Sequence, residues 1–407
     1  MISYNKALEI LKKNKINIKT EIILSKNSLN RIAAKNINSP NNYPAANNTA
    51  FDGFAVNSKE TKNIRKFKII KVIAAGDNPK IKKVPKFSAI EVMTGAVIQK
   101  PFDTVIPTEN IKYFPNKENA NYIIITNKIK KNNHIRFKGS DYRKGERVIS
   151  KGQIIQPNHI LALKTLGIEK ILVKKKPKIV FYSTGNEISN SSKVPSWKVR
   201  NSNSYYLKSF LKNFPVKFKE KRVLRDNDQA KFKKEINHNL TSNIDIVVTS
   251  GAVSVGKFDF VPKIITQFKL KNFFKGVAIR PGKPIMFANF KNNMVFFGLP
   301  GNPISSAACF RFFVLPFLYS SMGSTEDMPI VAKIKSNFLK KKNFTRFIKG
   351  KLSFSNEGKV EFKVLKGQES FRINSFTKSN AWGLFPRGKS LFKKGDYIRC
   401  YAFYGFN

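Results

Sequence analysis

Four short segments gather the residue types that hold anions. They are Ser183-Thr184-Gly185-Asn186-Glu187, then Thr249-Ser250-Gly251-Ala252-Val253-Ser254-Val255-Gly256 with Asp259 just beyond, then Arg280-Pro281-Gly282-Lys283-Pro284, and Leu299-Pro300-Gly301-Asn302-Pro303-Ile304-Ser305. Glycine lets backbone N–H groups turn toward a ligand without a Cβ in the way. Successive N–H groups at a helix start bind anions, and Arg280 and Lys283 add positive charge beside them. Glu187, Asp226, Asp228 and Asp259 stand in or near these segments, in a chain with only 25 acidic residues. Acids among phosphate-binding turns suit Mg²⁺, which takes a few carboxylates plus substrate oxygens. Taken singly, each segment has a plainer explanation. Gly-rich turns are more often structural, Pro-Gly is ordinary turn chemistry, and a carboxylate at a helix start is more often a cap. Four such turns at successive strand ends favour a phosphate-bearing ligand.

Periodicity indicates the elements that position these turns. Residues 178–183 (KIVFYS) form a buried-type strand and 204–214 a helix. Residues 216–224 are extended, 229–240 helical, 244–249 a strand and 258–268 helical. Short strands follow at 277–279, 285–287 and 295–297, then a helix at 303–318. This alternation predicts a three-layer α/β fold with a mainly parallel sheet, whose ligands lie beyond the carboxyl ends of the strands. Upstream, 5–14 form a short amphipathic helix, and 36–48 an Asn/Pro-rich loop. Runs at 67–74, 89–93, 103–106 and 122–126 predict a small β-domain. Residues 159–166 form a helix and 171–173 a strand. Beyond about residue 324 short strands and turns predict a second β-domain.

The chain has 407 residues, which suggests about two to four domains. Its 41% hydrophobic content and 36 Phe residues exclude wholesale disorder. Cys309 and Cys400 are the only cysteines, and the three histidines lack ligand spacing, which excludes a disulfide framework and a Cys/His metal site. Cys309 reads as a small buried residue on a helix. The most apolar stretch, 307–318, is interrupted by Arg311 and Pro316, and the first residues lack a signal-peptide layout. A soluble cytoplasmic protein without membrane association is expected. The formal charge of +51 raises nucleic acid as a partner. Of the 76 basic residues only 14 are Arg, the residue that reads bases and phosphates with a fork. Lys is scattered beside Asn and Ile, so most of the charge reads as solvated faces, with nucleic-acid binding as the disfavoured rival. The same field would steer anionic small molecules.

The turns carry a resemblance. STGNEI, TSGAVSVGKFDF, IRPGKPIMF and GLPGNPIS are similar to motifs of the molybdopterin molybdenumtransferase family, known as MoeA in bacteria and as the C-terminal part of gephyrin in animals. NNTAFDGFAV, EVMTGAVIQKPFDTVIPTEN, RFKGSDYRKGERVISKGQIIQPNHILALKTLGI and GQESFRINSFTKSNAWGLFP resemble further family segments, in the family's order over nearly the whole chain. The resemblance implies an elongated segment from 1–48 and 136–174, an inserted β-domain at 49–135, a MogA-like α/β domain at 175–323 and a C-terminal β-barrel at 324–407. It implies insertion of molybdenum from molybdate into adenylylated molybdopterin, with Mg²⁺ and release of AMP. It also implies a homodimer with its active site between subunits, and a MogA-type adenylyltransferase as a partner that delivers substrate.

By the same resemblance Asp52, Thr94, Glu187 and Asp259 are catalytic, and Glu187, Asp226 and Asp259 handle Mg²⁺. Substrate contacts would come from Arg136, Asp141, Ser250, Gly251, Ser254, Gly256, Arg280, Lys283, Pro300, Gly301, Asn302, Ser305 and Ser375. The chain departs from the family pattern at Ala252 (usually Gly), Asn186 and Asn201 (usually Asp) and Arg280 (usually Lys). The alternatives are a molybdopterin-binding or adenylyltransferase module of the MogA type, and a gephyrin-like scaffold. The Asp52 and Thr94 segments and the C-terminal barrel argue against the first, and the lack of an added N-terminal adenylyltransferase domain against the second.

Overall fold

The computed structural model describes residues 1–62, 64–253, 259–324 and 328–403. Its centre is a six-stranded sheet in the order Lys217–Glu220, Lys178–Ser183, Ile246–Ser250, Val295–Leu299, Met286–Phe290, Leu270–Lys275. The first four strands are mutually parallel, Met286–Phe290 runs antiparallel to them, and Leu270–Lys275 runs antiparallel to Met286–Phe290. The strand period of two sorts their apolar residues onto two faces. Ile179, Phe181, Ile246, Val248, Val295 and Phe297 pack with Leu207, Leu211, Phe310 and Phe317. Val180, Tyr182, Val247 and Phe296 pack with Phe232, Ile236, Phe260 and Ile264 on the other face. Two buried faces explain why KIVFYS and its neighbours are almost continuously apolar. The three-layer α/β architecture expected from the sequence is therefore present.

One expectation for this region is corrected. The strand expected at 277–279 is found as Ile279–Arg280, and it pairs with Thr345–Phe354 of the C-terminal sheet, not with the central one. A two-residue strand is placed by its non-local partner, which local pattern does not reveal. The helix expected at 303–318 is found, running as Pro303–Cys309, a π-helical turn Phe310–Val314 just before Pro316, and Leu315–Met322. The continuous segment Pro303–Met322 is thus long and apolar enough to cross a membrane by composition alone, but most of it is buried in the core.

In the N-terminal region a six-stranded sheet runs Thr104–Pro107, Gly53–Val56, Ser88–Val92, Lys66–Ile73, Tyr122–Ile125, Ile111–Phe114. The chain on either side of it pairs with itself. Thr20–Leu24 lies antiparallel to Lys170–Lys174, and Ile37–Asn38 to Arg147–Ile149. Ala33, Ile37, Ile149, Leu163, Ile171 and Val173 form the apolar filling there. Near the C terminus five strands close into a barrel: Thr345–Phe354, Val360–Val364, Ile330–Ile334, Tyr397–Ala402, Ala381–Phe385 and back to the first. The first helix, Tyr4–Lys13, joins barrel to α/β body. Its Tyr4 ring stands edge-on to Phe313 at 5.5 Å and Phe347 at 5.3 Å, and Phe312 stacks on Phe347 at 3.9 Å. Each such pair contributes about 0.5–1.5 kcal/mol beyond its buried area.

Candidate active site

All four turns lie at one edge of the central sheet. The first, second and fourth follow the carboxyl ends of Lys178–Ser183, Ile246–Ser250 and Val295–Leu299. The third joins Leu270–Lys275 to Met286–Phe290, and Met286 lies opposite Gly298, so it reaches the same edge through antiparallel strands. Thr184 donates its N–H and its Oγ1 to the Ser250 carbonyl at 2.9 and 3.0 Å. Gly251 donates its N–H to the Leu299 carbonyl at 2.9 Å. The Asn203 amide donates to Ser250 Oγ at 2.5 Å and to the Gly301 carbonyl at 2.8 Å. At Gly251, φ is +101° and a Cβ would fall 2.4 Å from the Thr184 carbonyl oxygen. Glycine there is required for two turns to touch. The third turn rests on the helix of the fourth: a Cβ on Gly282 would lie 2.4 Å from Cys309 Sγ. Cys309 is fully buried and burial pushes its thiol pKa up, so it is packing, as expected.

Glu187 is exposed, and its carboxylate folds over Gly185, where a Cβ would come within 2.3 Å of Oε2. Arg225 fastens this turn by donating Nη1 to the carbonyls of Gly185, Asn186 and Ile188 at 3.0, 3.1 and 2.8 Å. Asn186 Oδ1 accepts from the Asp226 N–H at 3.2 Å, which sets Asp226 beside the Glu187 turn. Asp259 precedes helix Phe260–Ile265 and makes no capping hydrogen bond to it. Among the described residues no three His, Cys, Asp or Glu side chains form a metal cluster, so the expected trio of Glu187, Asp226 and Asp259 is not a ready-made cage. An exposed Glu187 with Asp226 on the adjoining turn still fits Mg²⁺. That ion keeps several waters and needs only one or two carboxylates when phosphate oxygens complete its shell.

A second group of candidate residues lies on the N-terminal sheet. Asp52 Oδ1 accepts from the Thr94 N–H at 2.6 Å and from Thr94 Oγ1 at 2.7 Å. These bonds, the backbone one foremost, hold the Asp52 pKa below its ordinary value. Arg136 is exposed, and its strand pairs with Asn48–Thr49, whose Thr49 carbonyl accepts from the Gly95 N–H at 3.0 Å. Asp52, Thr94 and Arg136 are thus drawn together by backbone pairing. Asp141 is exposed on a neighbouring turn, its N–H donated to Tyr43. Asp52 and Thr94 bond to each other, and none of the hydrogen bonds among the described residues ties this pair to the four turns.

The remaining candidates divide by environment. Arg280 and Lys283 are exposed on the third turn, with Arg280 over the Phe344 ring at 4.6 Å. Ser305 is buried in the first turn of its helix, Pro300 is buried, Gly301 is exposed, and the buried Asn302 Oδ1 has no hydrogen-bond partner among the described residues. Ser375 is buried, and its hydroxyl lies 2.6 Å from the Gly367 carbonyl and 3.1 Å from that of Arg372. Ser254 and Gly256 lie outside the described residues. Asn203 and Arg225 were not among the sequence candidates, although they clamp the turns. Their only signal was position, inside NSNS at a helix start and directly before Asp226.

Residues 2–167 match the family description "MoeA N-terminal region (domain I and II)", 181–320 "Probable molybdopterin binding domain" and 331–403 "MoeA C-terminal region (domain IV)". The chain is 30% identical to the molybdopterin molybdenumtransferase of Staphylococcus epidermidis over 98% of its own length and 94% of the relative's. It is 30% identical to that of Haemophilus influenzae over 93% of each. A crystal structure of the molybdopterin biosynthesis MoeA protein from Pyrococcus horikosii superimposes with a TM-score of 0.82 at 26% identity, covering all of both chains. Three family regions in order, relatives matched end to end and a shared architecture lead to one conclusion: the chain belongs to the molybdopterin molybdenumtransferase (MoeA) family and is an enzyme.

Proposed function

We propose that this enzyme inserts molybdenum from molybdate into adenylylated molybdopterin and releases AMP, in a reaction that requires Mg²⁺. The observation that carries this is the meeting of four Gly-containing turns at one sheet edge, the second and fourth joined by Asn203, with Glu187, Arg280 and Lys283 exposed on the first and third. The first, second and fourth turns offer backbone N–H groups to phosphate oxygens, and Arg280 and Lys283 neutralise the anionic substrate. Glu187 and Asp226, with Asp259, would hold Mg²⁺, which offsets charge on the phosphoanhydride as AMP leaves. In a two-fold homodimer, Asp52, Thr94, Arg136 and Asp141 of one subunit would face the four turns of the other, giving two equivalent sites. A MogA-type adenylyltransferase is the class of enzyme that would supply the substrate. Incubation with adenylylated molybdopterin, molybdate and Mg²⁺ tests the reaction. AMP should appear only when all three are present, together with active cofactor. Full turnover in excess chelator would refute the metal requirement, and no AMP under any condition would refute the reaction.

A further inference from the structure

One large aromatic stands in the cleft beside Glu187 with no assigned task. The chain has two tryptophans. Trp382 is 1% exposed in the core, whereas Trp197 is 77% exposed, although tryptophan is highly buried on average. The Trp197 loop is zipped to the Glu187 turn. Val199 donates its N–H to the Glu187 carbonyl at 2.9 Å, Lys198 donates to Pro195 at 3.0 Å, and Ile188–Ser189 runs parallel to Val199–Arg200. Asn186, Glu187, Trp197, Lys198 and Arg225 line one shallow cleft. Among the described residues no ring contact or hydrogen bond engages the indole. The cleft therefore offers a π-surface, a carboxylate and two cations. Arg225 is committed to carbonyls through Nη1 and contributes charge, while Lys198 makes no ion pair among the described residues. A flat nitrogen heterocycle carrying a phosphate group matches that combination, since ring faces stack on indole and phosphate meets the cations.

We propose that Trp197 is the stacking platform for the flat nitrogen heterocycle of a phosphorylated substrate, bound in the cleft beside Glu187. The proposed reaction enters only in naming the two sources of such a ring, adenine and pterin. The test uses the full chain and its tryptophan emission, with Trp382 as a buried baseline and reporter of folding. AMP, ribose 5-phosphate and 6-hydroxymethylpterin are titrated separately, and affinities of variants are measured by calorimetry. The ring-bearing ligand should quench Trp197 and ribose 5-phosphate should not. Quenching by AMP identifies adenine as the ring, and quenching by the pterin identifies the pterin. Trp197→Ala should weaken that ligand about tenfold or more, and Trp197→Phe should retain most of the affinity. If neither ligand quenches, or if Trp197→Ala binds like the wild type with unchanged Trp382 emission, the assignment is wrong. Absence of AMP release from adenylylated molybdopterin would instead remove the proposed reaction and leave the measured stacking in place.

Discussion

Glu187 is exposed and rests on a glycine, so little of the fold depends on it. Glu187→Gln should leave the thermal midpoint nearly unchanged, as surface substitutions shift stability within about 0.5 kcal/mol. Turnover should fall about a hundredfold or more, the scale of losing one electrostatic contact to a reacting centre. A loss of activity matched by unfolding in the melting curve would return Glu187 to a structural role. Asp52 offers a pH test. Its pKa is held down by the two Thr94 bonds, so its anion persists as pH falls until that depressed value is reached. Thr94→Val removes the hydroxyl donor, the Asp52 pKa should rise, and the acid limb of the kcat/KM profile should move to higher pH. An unmoved limb would show that Asp52 ionisation does not govern the rate. The residues of this site were unequally legible. Glu187 stood out as an acid beside a Gly-rich turn in a basic chain, but Asp52 and Thr94 were reached only through the family resemblance. Asn203 looked like one more polar residue at a helix start. The departure at Asn201 acquires a reason only in three dimensions. Its amide donates to Glu220 Oε1 at 3.1 Å, which a carboxylate could not do.

The central strands were legible because burial on both faces leaves an unbroken apolar run, as in KIVFYS. Leu270–Lys275 was missed because it alternates exposed and half-buried residues at the sheet edge, and only one of its side chains is buried. The turn after Ile246–Ser250 shows how finely these connections are set. Gly251 has no room for a Cβ, while the next residue, Ala252, carries one at φ +51°. A left-handed alanine costs about 1–2 kcal/mol, part of which a glycine would return through unfolded-state entropy. Ala252→Gly should therefore raise the thermal midpoint, by the equivalent of about 0.5–1 kcal/mol. Gly251→Ala should lower it by the equivalent of about 2–4 kcal/mol, from overpacking and strain together, and should reduce turnover by pushing Thr184 off the second turn. If the two substitutions shift the melting curve alike, the left-handed geometry at 252 is wrong.

At the scale of the whole molecule, a charge of +51 would steer the proposed anionic substrate toward the protein. Two carboxylate groups belong to different sheets of the chain: Asp52 with Thr94 to the N-terminal sheet, and Glu187 to the edge of the central one. Sequence placed them in different domains, but no residue pattern could say whether they meet within a subunit or between two. The homodimer proposed above makes a sharp distinction. An Asp52→Ala chain and a Glu187→Gln chain should each be inactive alone, since every site would carry one defect. In a mixed dimer one composite site would carry both defects and the other neither, so co-refolding the two inactive chains should restore about half the wild-type activity per heterodimer if the sites act independently. Different affinity tags on the two chains allow heterodimers to be isolated and counted before assay. Heterodimers that form but remain inactive would place the complete site within a single chain, or require both sites intact for either to work. Measuring substrate binding per heterodimer separates these: one functional binding site with no turnover points to coupling between sites, and none points to a site built within one subunit.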